Sequence, residues 1–182
     1  MKKIILSFIA LVLFVTLPIS AYADVSFETE QTVFESQFAL IESDSTLPSE
    51  ISEESLRDYV ISNKTAQAST ASTLASVGGF GTIKCYALGS GKMSCDWSVT
   101  LTKSGEAIQN LFVIFEVSTS DKIVGTKEVY KEPLGGNGKT YRDQIDFNPG
   151  KGSFKVEKYG AVAGRYAVYN IVSITPDYIN VY

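Results

Sequence analysis

The sequence predicts an all-β protein, an antiparallel β-sandwich of 7–8 strands over residues 80–182, behind an acidic, partly helical N-terminal extension. Three observations carry this. From Phe80 onward, runs rich in Tyr, Phe, Val and Thr are broken about every ten residues by Gly, Pro, Ser and Asn clusters. Ser94–Thr102 (SCDWSVTLT) alternates apolar and polar residues along its whole length, the period of a half-buried strand. The two cysteines, Cys85 and Cys95, fall where one hairpin would set them face to face.

Residues 1–23 read as a signal peptide. Lys2 and Lys3 form a positive start, Ile4–Leu17 an apolar run too short for a comfortable membrane span, and Ala21-Tyr22-Ala23 a small-x-small cleavage site before Asp24. The expected product is exported: secreted or extracellular, or periplasmic if the source has an outer membrane. No later apolar stretch is long enough to span a membrane.

Residues 24–79 read as the extension. Ten acids face one base, Arg57, between Asp24 and Asn63, whereas Lys64 onward carries 13 Lys/Arg and 10 Asp/Glu. A body this weakly basic does not point to nucleic acid. Ile51, Leu56, Tyr59 and Val60 lie near one helical face, and Ser52 with Ser55 suits a helix start, so a short helix is expected at about 50–63. Thr65–Gly79 has linker composition. The acidic segment is compatible with a solvating arm, a removable pro-segment or a helix docked on the domain.

The strands follow in order: Thr82–Ala87, Ser94–Thr102, Leu111–Ser118 (apolar on both faces, hence central), Ile123–Lys131, Tyr141–Phe147, Ser153–Tyr159 and Gly164–Ile174. Tyr178–Tyr182 is a candidate edge strand. The joints TKSGEA, STSD, EPLGGNGK, NPGKG and GAVA are turn chemistry.

A hairpin centred on Ser90 would place Cys85 opposite Cys95, Ile83 opposite Trp97 and Gly81 opposite Val99, with both cysteines on the apolar face. Opposed residues in a non-hydrogen-bonded antiparallel pair have Cα atoms about 4.5 Å apart, within reach of a disulfide. The chain has no histidine and no Cys-x-x-Cys spacing, so a structural disulfide is expected and not a metal or redox pair. Closing the 11-residue loop contributes about 2.8 kcal/mol in the chain-entropy model.

Gly164–Val168 (GRYAV) resembles the Gly-x-Tyr-x-apolar start of a late strand in immunoglobulin-like domains, where the Tyr forms a corner. The resemblance implies an immunoglobulin-like form of the sandwich, with Tyr166 as the corner, and no activity.

Without histidine, Ser-His and Cys-His nucleophile arrangements are excluded. Pro133–Thr140 (PLGGNGKT) ends like a phosphate-binding loop, but strands flank it and Pro133 stands where that motif has Gly. Asp143, Asp146 and Asn148 form a sparse acidic run, read as a solvated strand edge with calcium as the sharper alternative. Asp143 shares a face with Tyr141, Ile145 and Phe147, so one charge intrudes on an apolar side. No cofactor is implied.

Of ten tyrosines, Tyr159, Tyr166, Tyr169, Tyr178 and Tyr182 cluster in the last quarter. Tyr159, Tyr169, Tyr178 and Tyr182 are the candidate binding surface, because Tyr offers large contact area at low entropy cost. The expected function is an exported, non-enzymatic module that binds an unidentified protein or glycan. The alternative is a secreted antibacterial or toxin-like effector held inactive by the acidic segment. Against an outer-membrane barrel stand strands of seven to nine residues and the long acidic segment.

Overall fold

The hairpin register derived from the cysteines is the one the chain adopts. The strands β2 (Val77–Gly89) and β3 (Lys92–Leu101) pair Cys85 with Cys95, Ile83 with Trp97 and Gly81 with Val99. A disulfide joins Cys85 and Cys95, with Cα atoms 4.0 Å apart. The turn is tight, since Gly89 pairs with Lys92. Gly89, Ser90 and Gly91 all take positive φ, which the two glycines accept without steric cost.

The computed structural model describes residues 33–43, 51–69, 76–132, 138–173 and 177–182, with side chains in the helical segment up to Lys64. The cleavage site Ala23–Asp24 and Pro133–Asn137 of the glycine-rich loop lie outside the described residues.

The other strands are β1 (Val33–Glu42), β4 (Ile108–Ser118), β5 (Ile123–Lys131), β6 (Thr140–Phe147), β7 (Gly152–Gly164), β8 (Val168–Val172) and β9 (Asp177–Val181). All pairings are antiparallel. They form one sheet in the order β5-β4-β7-β8-β1-β2-β3-β6, with β9 on β7 beyond β8. Its two ends approach: Gly125 of β5 lies against the Phe147 ring of β6, and Lys131 Nζ stands 3.5 Å from Asp143. The fold is therefore all-β, an antiparallel sheet nearly closed into a barrel.

The immunoglobulin-like sandwich is not confirmed, and β1 supplies the physical reason. Without it, β5-β4-β7-β8 and β2-β3-β6 would be two separate sheets. β1 pairs with both β8 and β2 and joins them into one. Residues 33–42, expected within the extension, are thus an interior strand of the sheet. A second difference concerns GAVA, expected as a turn. It is the end of β7, where Gly160 lets the backbone pass the Phe112 carbonyl at a distance that a Cβ would violate. The turn comes later, with Gly164 N–H donating to the Ala167 carbonyl at 2.8 Å.

The inward faces meet in a core that includes Phe38, Leu40, Trp97, Phe115, Tyr141 and Tyr169. Trp97 packs on Phe115 and Tyr141 with ring centroids 5.1 and 5.4 Å apart. A barrel of about eight strands is just wide enough to be filled by side chains, and this one is. The outer faces of β2, β3 and β6 present Thr82, Lys84, Asp96, Ser98, Arg142 and Gln144, a polar surface unlike a lipid-facing band.

One helix, α1 (Glu53–Ser69), lies on the outer face of the sheet. Ser52 and Ser55 cap it reciprocally, each hydroxyl accepting the other's backbone N–H at 3.2 and 2.9 Å. Leu56 and Val60 are buried against Phe112, Ile114, Tyr159, Ala161, Ala163 and Val168. Of the readings of the acidic segment, docking describes this part of it. Among the described residues, no helix is long and apolar enough to cross a membrane.

Candidate binding surface

β9 sorts the C-terminal tyrosines. Its alternation turns Asp177, Ile179 and Val181 inward and leaves Tyr178, Asn180 and Tyr182 outside. Tyr178 is 65% exposed and Tyr182 57%.

The sheet register lays a row of side chains beside Tyr178. Tyr178 pairs with Lys155 of β7, Lys155 with Ser118 of β4, and Ser118 with Ile123 of β5. Four strands thus contribute one residue each to a single line across the outer face. Thr119, Ser120, Lys122, Ser153 and Glu157 complete the lining of a groove of about 720 Å³ along it. Lys155 pairs with Glu157 at 2.7 Å, and Ser153 hydrogen-bonds Asn180. The exposed Ile123 and Tyr178 flank polar and cationic groups. Such a surface can stack on a flat ring or an aliphatic chain while donating hydrogen bonds from lysine, with the buried Ser118 as its floor.

The other two expected surface tyrosines are buried. Tyr159 lies under α1: its hydroxyl donates to Glu116 and receives Lys64 Nζ at 2.7 Å, and Lys64 also binds Glu116 at 2.8 Å. Burial, then the bond to Glu116, pushes the Tyr159 phenol far above its usual range. Tyr169 is wholly buried in the barrel, where its hydroxyl donates to the buried Glu106 at 2.8 Å. Its ring occupies the space that any side chain on Gly78 would need. Tyr166, the expected corner, is instead 67% exposed. The buried hydroxyl at that end of the barrel belongs to Tyr169, three residues on. Tyr159 and Tyr169 therefore hold structure together, and Tyr178 and Tyr182 remain as surface.

Asp143 is on the inward face of β6, as expected, and Asp146 is on the outward one, so the acidic run does not converge. Asp143 accepts from Tyr141 Oη at 2.8 Å and from Gln144 N–H at 2.9 Å. Burial raises its pKa, but those bonds and Lys131 outweigh burial and leave it below the usual range. Asp146 accepts from Ser94 at 2.6 Å. Among the described residues, no three His, Cys, Asp or Glu gather as a metal site would require.

The row missed in the sequence consists of Ile123, Ser118 and Lys155. Each reads locally as an ordinary strand residue. Only the order β5-β4-β7-β9 makes them neighbours of Tyr178, and that order has no local signal. The chain matches no protein-family model, no curated protein and no solved structure.

Proposed function

We propose that the protein is an exported, non-enzymatic β-domain that binds a protein or glycan partner along the Ile123–Ser118–Lys155–Tyr178 row. The observation that carries this reading is the row itself: four strands of a sheet with a filled interior align an exposed aromatic, a lysine, a serine and an exposed aliphatic residue. A rigid sheet presents such groups with little backbone ordering cost, leaving chiefly the side chains to be fixed on binding. The signal-peptide pattern and the disulfide support a location outside the cytoplasm. The effector alternative needs release of residues 24–79. That cut would remove β1 from between β8 and β2 and strip each of one of its two partners, opening the sheet, so no observation favours it.

The test is a screen of surface glycans and exported proteins against the purified chain and its Tyr178→Ala and Ile123→Ser variants. A partner that binds the native chain and loses at least about tenfold with either substitution supports the proposal, as expected for an aromatic anchor. A partner whose affinity is unchanged in both variants overturns the assignment to this row.

A further inference from the structure

Inside the barrel, a lysine and an aspartate are sealed together. Lys158 shares the inward face of β7 with Phe154, Val156 and Val162. Its side chain is 0% exposed, and that of Asp177, the first residue of β9, is 2% exposed. Val156 is the register partner of Asp177, so Lys158 reaches it on the diagonal. Its Nζ contacts Asp177 Oδ2 directly. Ser36 of β1 touches both groups: its Oγ receives Lys158 Nζ at 3.0 Å and donates to Asp177 Oδ2 at 2.8 Å. The Phe38 ring lies 5.5 Å from Nζ, and Phe115 is the residue opposite Lys158 on β4.

A buried ion pair is a poor way to hold a sheet, because desolvating two charges rarely returns a net gain. An amine and a carboxyl held in contact in an apolar site have another outcome. We infer that Lys158 and Asp177 are joined by an amide bond formed within the folded chain, with Ser36 as the hydroxyl that relays the proton. The proton count allows it. Moving one proton from the ammonium to the carboxylate turns the ion pair into a neutral amine and a neutral acid, the forms that low dielectric favours. Burial pushes the Lys158 amine toward that neutral form, against the pull of Asp177.

The Nζ lone pair then attacks Asp177 Cγ. The Nζ–Cγ bond forms, the second amine proton passes through Ser36 Oγ to the departing oxygen, and the Cγ–O bond breaks. One water leaves, and no oxidant, reductant or cofactor is consumed. The product removes both charges from the interior. It also ties β9, which pairs only with β7 in the sheet, covalently to its neighbour.

The experiment is mass spectrometry of the purified full-length product and of its tryptic digest. The expected intact mass is lower than that of the disulfide-bonded chain by one water. In the digest, cleavage after Lys158 is absent and a branched peptide joins Lys158 to the segment holding Asp177. Asp177→Ala regains the water and restores cleavage, and Ser36→Ala accumulates the cross-link more slowly. An intact mass without that loss, or ordinary cleavage after Lys158 in the native chain, overturns the inference. So does a water loss that persists in Asp177→Ala. The native-chain readout does not depend on how well either variant folds.

Discussion

Lys131 on β5 and Asp143 on β6 face each other at 3.5 Å across the place where the sheet stops short of closing. No ladder joins these two strands. Their side chains cross the gap instead: Lys131 reaches Asp143 at one level, and Phe147 covers Gly125 at another. Replacing Asp143 by Ala should cost about 1–2 kcal/mol, a partly exposed ion pair plus two hydrogen bonds. The effect has a definite pH sign. The folded-state pKa of Asp143 lies below its ordinary value, so its contribution is present above the unfolded carboxylate's pKa of about 3.9 and is lost as pH falls through the folded value. Urea melts of both proteins should therefore differ at about pH 6, and the difference should shrink steadily as pH falls below about 4. A constant difference across that range would contradict the assignment.

The disulfide makes a second prediction. Cys85→Ala with Cys95→Ala should lower stability by about 3 kcal/mol, seen as an earlier denaturant midpoint. The hairpin register should persist, because Ile83, Trp97 and Val99 still face the core. Loss of near-ultraviolet signal from Trp97 under native conditions would show that the register needs the bond.

Docking of α1 gives a third. Leu56 is 1% exposed and Val60 0%, so Leu56→Ala should cost about 2–4 kcal/mol. Limited proteolysis should leave 53–64 intact in the native chain under conditions that cut it there in the urea-unfolded chain. Early cleavage within 53–64 would mean that the helix is not held on the sheet.

Tyr169 and Glu106 give a fourth. Tyr169→Phe removes the hydroxyl bonded to Glu106 Oε1, in a residue only 2% exposed, and leaves Oε2 with the Tyr166 N–H at 3.3 Å. The expected loss is about 1–3 kcal/mol, far above that of an exposed Tyr166→Phe. Burial and the bond to Glu106 hold the Tyr169 phenol above its usual range, so it should not ionise in an alkaline titration until the protein unfolds.

Local patterns in the sequence carried much of this fold. The alternation of SCDWSVTLT and the parity of Cys85 and Cys95 were enough to set a hairpin register residue by residue. Ser52 and Ser55 marked a helix start because capping is a contact between near neighbours. β1 escaped notice for a chemical reason. Its inward positions are Phe34, Ser36, Phe38 and Leu40, and Ser36 breaks the apolar alternation. That serine is polar because it serves Lys158 and Asp177, partners far along the chain. The same distance hid the Tyr178 row. The burial of Tyr159 depends on Lys64 and Glu116, and that of Tyr169 on Glu106, contacts that no periodicity records.

β1 also sets the order of events during folding. It leaves the ribosome early, yet its Ala39 pairs with Val172, and its Ser36 bonds Asp177 from 141 positions away. Such distant pairings are slow to form, because the intervening chain must first be brought together. A chain emerging from its N-terminus could complete the β2–β3 hairpin at once but would have to hold β1 on β2 with its other edge open. The sheet can be sealed only when β8 and β9 arrive. Until then that bare edge is the part of the molecule most open to pairing with another chain.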